Sequence, residues 1–226
     1  DFILRKYGED HYLMTSIRLH LGVFYHTTSK RKIATENLEA AMALAKKFYG
    51  DVNMKIAKCQ KYLSWIYYND GNIKISLELQ YECIDICKAI YGEEHPETIS
   101  ALEQVASFHL GEGNISKGES IIKKTYEFNK KFFGESHPQL ARSYNRMGII
   151  CFEKDKFKEA LDWYEKSRKI ALECYGIYNK ETARVYHDIG NRYKNLKDLD
   201  KSMENLEKAL EIRRHIFGED HYELSW

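Results

Sequence analysis

Proline is almost absent from this chain of 226 residues, which holds only Pro96 and Pro138. A proline inside a helix costs about 3 kcal/mol, so its scarcity leaves long helical stretches unbroken. An excess of charge of one sign is missing too. The 35 basic and 34 acidic residues leave a formal charge of +1, which argues against a general nucleic-acid binder and its marked basic excess. No apolar run approaches the roughly 18 residues of a membrane-spanning helix, and no cleavable secretory leader opens the chain. The five cysteines, Cys59, Cys83, Cys87, Cys151 and Cys174, are odd in number and sit within helical patterns rather than in a loop framework. That usage points to a reducing compartment. These absences predict a cytoplasmic protein whose partners are neither nucleic acid nor membrane. Catalytic signatures are missing as well: there is no P-loop, dinucleotide fingerprint, zinc-peptidase motif or nucleophile elbow.

What is present is a period. An aromatic residue is followed by glycine at Tyr7-Gly8, Tyr49-Gly50, Tyr91-Gly92, Phe133-Gly134, Tyr175-Gly176 and Phe217-Gly218, each pair 42 residues after the last. A fixed period of this length is the signature of a solenoid, in which each repeat stacks on its neighbours. Glycine in the left-handed conformation would end one helix at each pair. Three residues later comes His11, Asn53, His95, His137, Asn179 or His221. Asn is a favoured N-cap, and the two prolines follow this column directly, where proline suits the first helical position.

The spacing predicts first helices over 12–27, 54–68, 96–110, 138–152 and 180–194, and second helices over 31–48, 73–90, 115–132, 157–174 and 199–216. The fold expected is all-α: a right-handed α-solenoid of five helix-turn-helix repeats, 9–50, 51–92, 93–134, 135–176 and 177–218, forming a single array over 1–226. Partial repeats, 1–8 and 219–226, stand at both ends, so that Phe2 and Trp226 would mark faces a longer array covers. Two columns of small residues show where helices meet: Gly22, Ser64, Ala106, Gly148 and Gly190 in the first helices, and Ala34, Ser76, Gly118, Ala160 and Ser202 in the second. This scheme has each first helix against its own second helix and the next first helix, with Gly148 close to Ala160.

The pattern resembles the tetratricopeptide repeat. Tyr144, Met147-Gly148, Ala160 and Tyr164 stand in the places of that motif's aromatic, Leu-Gly, alanine and second aromatic. The 42-residue period and the junction Phe133-Gly134-Glu135-Ser136-His137-Pro138 are closer to the kinesin light chain subgroup. The resemblance implies a non-catalytic interaction module whose first helices line a concave groove. It also implies a taste for short acidic peptides with a tryptophan, and gives Asn145 the place of a groove asparagine.

Candidate chemistry is sparse. Cys83 and Cys87, four apart on one helix, offer two metal ligands but no second pair, so no metal or cofactor is expected. The junction histidines are read as structural, and His187 lacks an acid or nucleophile with which to act. The informative feature is a stripe on the first helices, at places six and three before the small column and one and four after it. In chain order these places hold Ser16, Leu19, Val23, His26; Lys58, Lys61, Trp65, Tyr68; Ser100, Glu103, Ser107, Leu110; Arg142, Asn145, Ile149, Phe152; and Arg184, His187, Asn191, Lys194.

Lys58, Lys61, Arg142, Arg184 and Lys194 outnumber the stripe's one acid, Glu103, which predicts a basic groove. Trp65, Tyr68 and Phe152 would hold an apolar anchor there, Asn145 and Asn191 would bond an extended backbone, and Ile149 and His187 complete the predicted groove. The predicted partner is an acidic protein or peptide. Two other uses of such an array stay open at this point: a peptide-sensing regulator that changes shape, or the accessory domain of an enzyme.

Overall fold

The computed structural model describes residues 5–6 and 8–218. The expectations resting on Phe2, Tyr7, His221 and Trp226, and on the partial repeat 219–226, lie outside the described residues. Among those described are ten long helices: α1 Tyr12–Thr27, α2 Arg31–Tyr49, α3 Met54–Asn69, α4 Ile73–Tyr91, α5 Pro96–Gly111, α6 Ile115–Phe133, α7 Pro138–Glu153, α8 Phe157–Tyr175, α9 Lys180–Asn195 and α10 Leu199–Phe217. The protein is all-α, a repeat solenoid of helix-turn-helix units, with bounds within one residue of those expected. The chain divides into two compact units, residues 1–112 with α1–α5 and residues 113–226 with α6–α10. The division falls in the turn of the third repeat.

The first helices start where the junction column stands. Asn53 accepts from the backbone N–H of Lys55 (3.0 Å) and Ile56 (3.1 Å), and Asn179 from that of Glu181 (2.9 Å). Histidine does the same with Nδ1: His95 accepts from Glu97 N–H at 3.2 Å and His137 from Gln139 N–H at 3.1 Å. Their rings also stack on the aromatic that ends the previous helix, His95 on Tyr91 and His137 on Phe133, each at 4.2 Å. One side chain thus caps a helix and holds the junction closed.

The left-handed cap sits elsewhere than the period suggested. At the junctions Gly50 has φ 80°, ψ 176° and Gly134 φ 79°, ψ 172°. This is positive φ with extended ψ, a region open essentially to glycine alone, so the chain leaves each second helix extended rather than curled back. The left-handed residue belongs instead to the turn inside each repeat, at Ser29 (φ 59°), Gly71 (φ 79°), Gly113 (φ 74°), Asp155 (φ 59°) and Lys197 (φ 62°). Around it the N–H of Lys30 reaches the carbonyl of Tyr25 at 2.9 Å and that of Asp198 reaches Tyr193 at 3.0 Å, while Lys197 N–H meets Lys194 at 3.0 Å. These are the paired bonds of a Schellman ending. The Ser29 turn, which holds no glycine, closes in the same way.

Within each unit the second helix of a repeat packs on its own first helix and on the first helix of the next, which carries most of the contact between repeats. First helices α1 and α3 also touch. The small residue of a first helix makes room for the side chain 16 places later. A Cβ on Gly148 would lie 2.5 Å from the Tyr164 ring, and one on Gly190 2.8 Å from Leu206. Ser64, in the same column, donates to Gln80 Oε1 at 2.9 Å. The nearest partner of Gly148 is therefore Tyr164 rather than Ala160, which is itself fully buried in the same cluster.

Candidate interaction face

Each unit carries its own part of the stripe. In the N-terminal unit Leu19 and Val23 turn into a core with Leu38 and Leu63, and Ser16 accepts from Lys55 Nζ at 2.9 Å. His26 lies edge-on to Tyr62, and burial together with the Arg31 charge lowers its pKa. On α5, Glu103 is buried, Ser107 donates to its carbonyl at 2.9 Å, and Ser100 and Leu110 are half-buried.

On α3, Lys58 is exposed, and Lys61 is half-buried with Nζ 3.4 Å from Ser100 Oγ. Among the described residues neither lysine has a carboxylate at ion-pair distance. Beside them opens a small crevice lined by Met54, Ala57, Cys83, Cys87, Glu97 and Ala101. One and two turns farther along α3, Trp65 and Tyr68 are half-buried against Phe108. Tyr68 stacks on that ring at 4.4 Å and Trp65 meets it edge-on at 5.0 Å. Phe108 is a participant the stripe omitted. It stands two places after Ala106, outside the columns chosen, and is wholly buried.

The C-terminal unit is more self-satisfied. Arg142 Nη2 on α7 is 3.0 Å from Glu181 Oε1, and Arg184 donates to Glu181 Oε2 through Nη2 (2.9 Å) and Nε (3.2 Å). Burial alone would raise the Glu181 pKa, but the charges and hydrogen bonds of Arg184 and Arg142 outweigh it and hold the carboxyl below its ordinary value. Asn145 is buried and gives its amide to Asp188 Oδ2 at 2.9 Å. Asp188 Oδ1 is 3.9 Å from His187 Nδ1, and the His187 ring lies 3.3 Å from the Asn191 amide. Ile149 and Phe152 are half-buried on the cluster around Tyr164. The Arg192 guanidinium covers Phe152 at 5.0 Å while pairing with Glu153 at 3.6 Å, and Lys194 is exposed.

The acids Glu181, Asp188 and Glu153 were missed because they lie outside the stripe's four columns. The spacing of Glu181 and Arg184, three apart on one helix, was the available signal. No group of three or more His, Cys, Asp or Glu side chains among the described residues is arranged to hold a metal. None of the described helices is long and apolar enough to cross a membrane.

Comparison with known proteins agrees with this architecture. Family models described as tetratricopeptide repeat match residues 97–173 and 147–214, and a further one matches residues 56–97. A curated relative, kinesin light chain-related 2 of Arabidopsis thaliana, is 30% identical over 74 residues, which are 33% of this chain and 11% of that protein. The match thus spans about a tenth of that relative's length. Among solved structures, a Podosopora anserina protein described as a kinesin light chain with nearly identical TPR-like repeats has a TM-score of 0.64. It is 17% identical, with 92% of this chain and 99% of that one covered. A Rap protein complexed with competence and sporulation factor has a TM-score of 0.75 at 13% identity, covering 90% of this chain and 55% of that one. At such identities the structural likeness concerns the fold. The 42-residue period, the helix pairs and the family matches show that the chain belongs to the tetratricopeptide repeat family, is kinesin-light-chain-like within it, and is a protein-interaction module.

Proposed function

We propose that the chain binds an extended acidic peptide segment bearing an apolar anchor, and that α3 supplies the contact in the N-terminal unit. The observation that carries this reading is the juxtaposition of Lys58 and Lys61, which have no ion pair among the described residues, with the half-buried rings of Trp65 and Tyr68. An ammonium group with no ion pair to break attracts a carboxylate at little cost, for Lys61 no more than its long bond to Ser100, and aromatic faces rigidified on Phe108 lose little entropy when they are covered. The Rap structure, a complex with competence and sporulation factor, is compatible with ligand binding by such repeats. Its likeness to this chain extends to fold alone.

Fluorescent peptides, acidic and basic, with and without a tryptophan, test the reading by anisotropy against the native chain and the K58E/K61E variant. The acidic, tryptophan-bearing peptide is expected to bind best, with at least tenfold weaker binding to the variant, about 1.4 kcal/mol. Equal binding of acidic and basic peptides, or a variant that keeps full affinity, refutes it.

A further inference from the structure

The two units hold their basic residues differently. Lys58 and Lys61 face no carboxylate at ion-pair distance among the described residues, whereas Arg142 and Arg184 converge on the two oxygens of one, Glu181. That carboxylate is held in three ways. Arg142 takes Oε1, Arg184 takes Oε2 with two donors, and Glu181 stands in the first turn of α9, where the helix dipole favours negative charge. Both guanidiniums remain partly open to solvent, with side chains 45% and 39% exposed, so an incoming anion can reach them. It would meet a site already occupied by an anion of the chain itself.

We propose that Glu181 is a specificity-determining residue, an internal carboxylate in the anion site of Arg142 and Arg184, so that the C-terminal unit accepts an acidic segment only by displacing it. The inference rests on the acidic partner proposed above and adds which unit selects for acidity and why. A tethered carboxylate acts at an effective concentration that no free partner carboxylate matches, so one-for-one exchange favours the resident group. The neighbouring acids reinforce this, because Asp188 is engaged by Asn145 and Glu153 by Arg192. In the native chain acidity is therefore read by Lys58 and Lys61. The face around Arg142 and Arg184 meets its partner chiefly through apolar contact at Ile149 and Phe152.

The test measures anisotropy of a short acidic peptide bearing one tryptophan on the native chain, E181Q, K58Q/K61Q and the combined variant. E181Q is expected to tighten binding about fivefold, the scale of one exposed ion pair. It should also restore binding in the K58Q/K61Q background, and the gain should vanish in R142Q/E181Q and shrink with added salt. Far-UV circular dichroism confirms that each variant is folded, and E181T replaces E181Q if the latter melts early. Unchanged or weaker binding by both Glu181 variants overturns the inference, since weaker binding would make Glu181 an organiser of the two arginines. The outcomes separate cleanly. If K58Q/K61Q binds like the native chain, the assignment to α3 falls while a gain in E181Q still stands; if E181Q gains nothing, the assignment to α3 stands alone.

Discussion

Replacing Gly148 by alanine probes the contact on which the fourth repeat closes. The added Cβ would lie 2.5 Å from Cε1 of Tyr164 and 2.8 Å from Cδ1 and Cζ. Carbon atoms prefer about 3.5–4.0 Å, so ring and helix must part by about 1 Å. The ring has nowhere to go: Tyr164 is fully buried among Ala160, Ala171, Val185 and Ile189, and an aromatic ring has no flexible end to fold away. Overpacking of this kind costs about 1–3 kcal/mol. Against it stands the gain from removing glycine from a helix interior, about 0.5–1 kcal/mol. The expected net loss is about 1–2 kcal/mol, and its sign is the informative part, because the same change at an open helical site would stabilise. Urea unfolding followed by circular dichroism and by tryptophan emission, with Trp163 in the same cluster, reads the midpoint. A midpoint equal to or above that of the native chain refutes the close contact.

Two further outcomes follow from local geometry. Lys197 sits at φ 62°, where an L-residue loses about 1–2 kcal/mol, so K197G should stabilise by about 0.5–1 kcal/mol after the entropy glycine adds to the unfolded chain; a lower midpoint counts against the turn. Thiol labelling of the native protein near neutral pH should be fast at Cys174 alone, the one exposed cysteine. Burial pushes the Cys59 thiol up to about 12 and so keeps it neutral and unreactive, and rapid labelling of Cys59, read by mass spectrometry, would contradict its burial.

The helices were legible because their signals are local and repeated: turn residues, N-caps and a small column recur at one spacing, and five copies average away the exceptions. The site was less legible because the stripe was read along single helices. Phe108 supports Trp65 and Tyr68 from the adjacent first helix, and Glu181 neutralises Arg142 from 39 places away. A tally of charges along a stripe has no means of seeing a partner that another helix supplies. The misplaced left-handed cap has a different origin. The junction glycines and the turn residues inside the repeats both take positive φ, and composition does not distinguish a left-handed ψ from an extended one.

At Gly134, φ 79° and ψ 172° are the mirror image of an ordinary extended L-residue. An L-alanine Cβ there would meet no heavy atom within 4 Å, so what bars it is the torsion itself and not a neighbour. The joint between repeats asks for the opposite hand from the rest of the chain, and glycine, being achiral, is the one genetically encoded residue without a hand to be wrong. Chemical synthesis has another answer: a D-alanine at such a joint would find its preferred torsions already in place, stiffening the link that an L-alanine would strain.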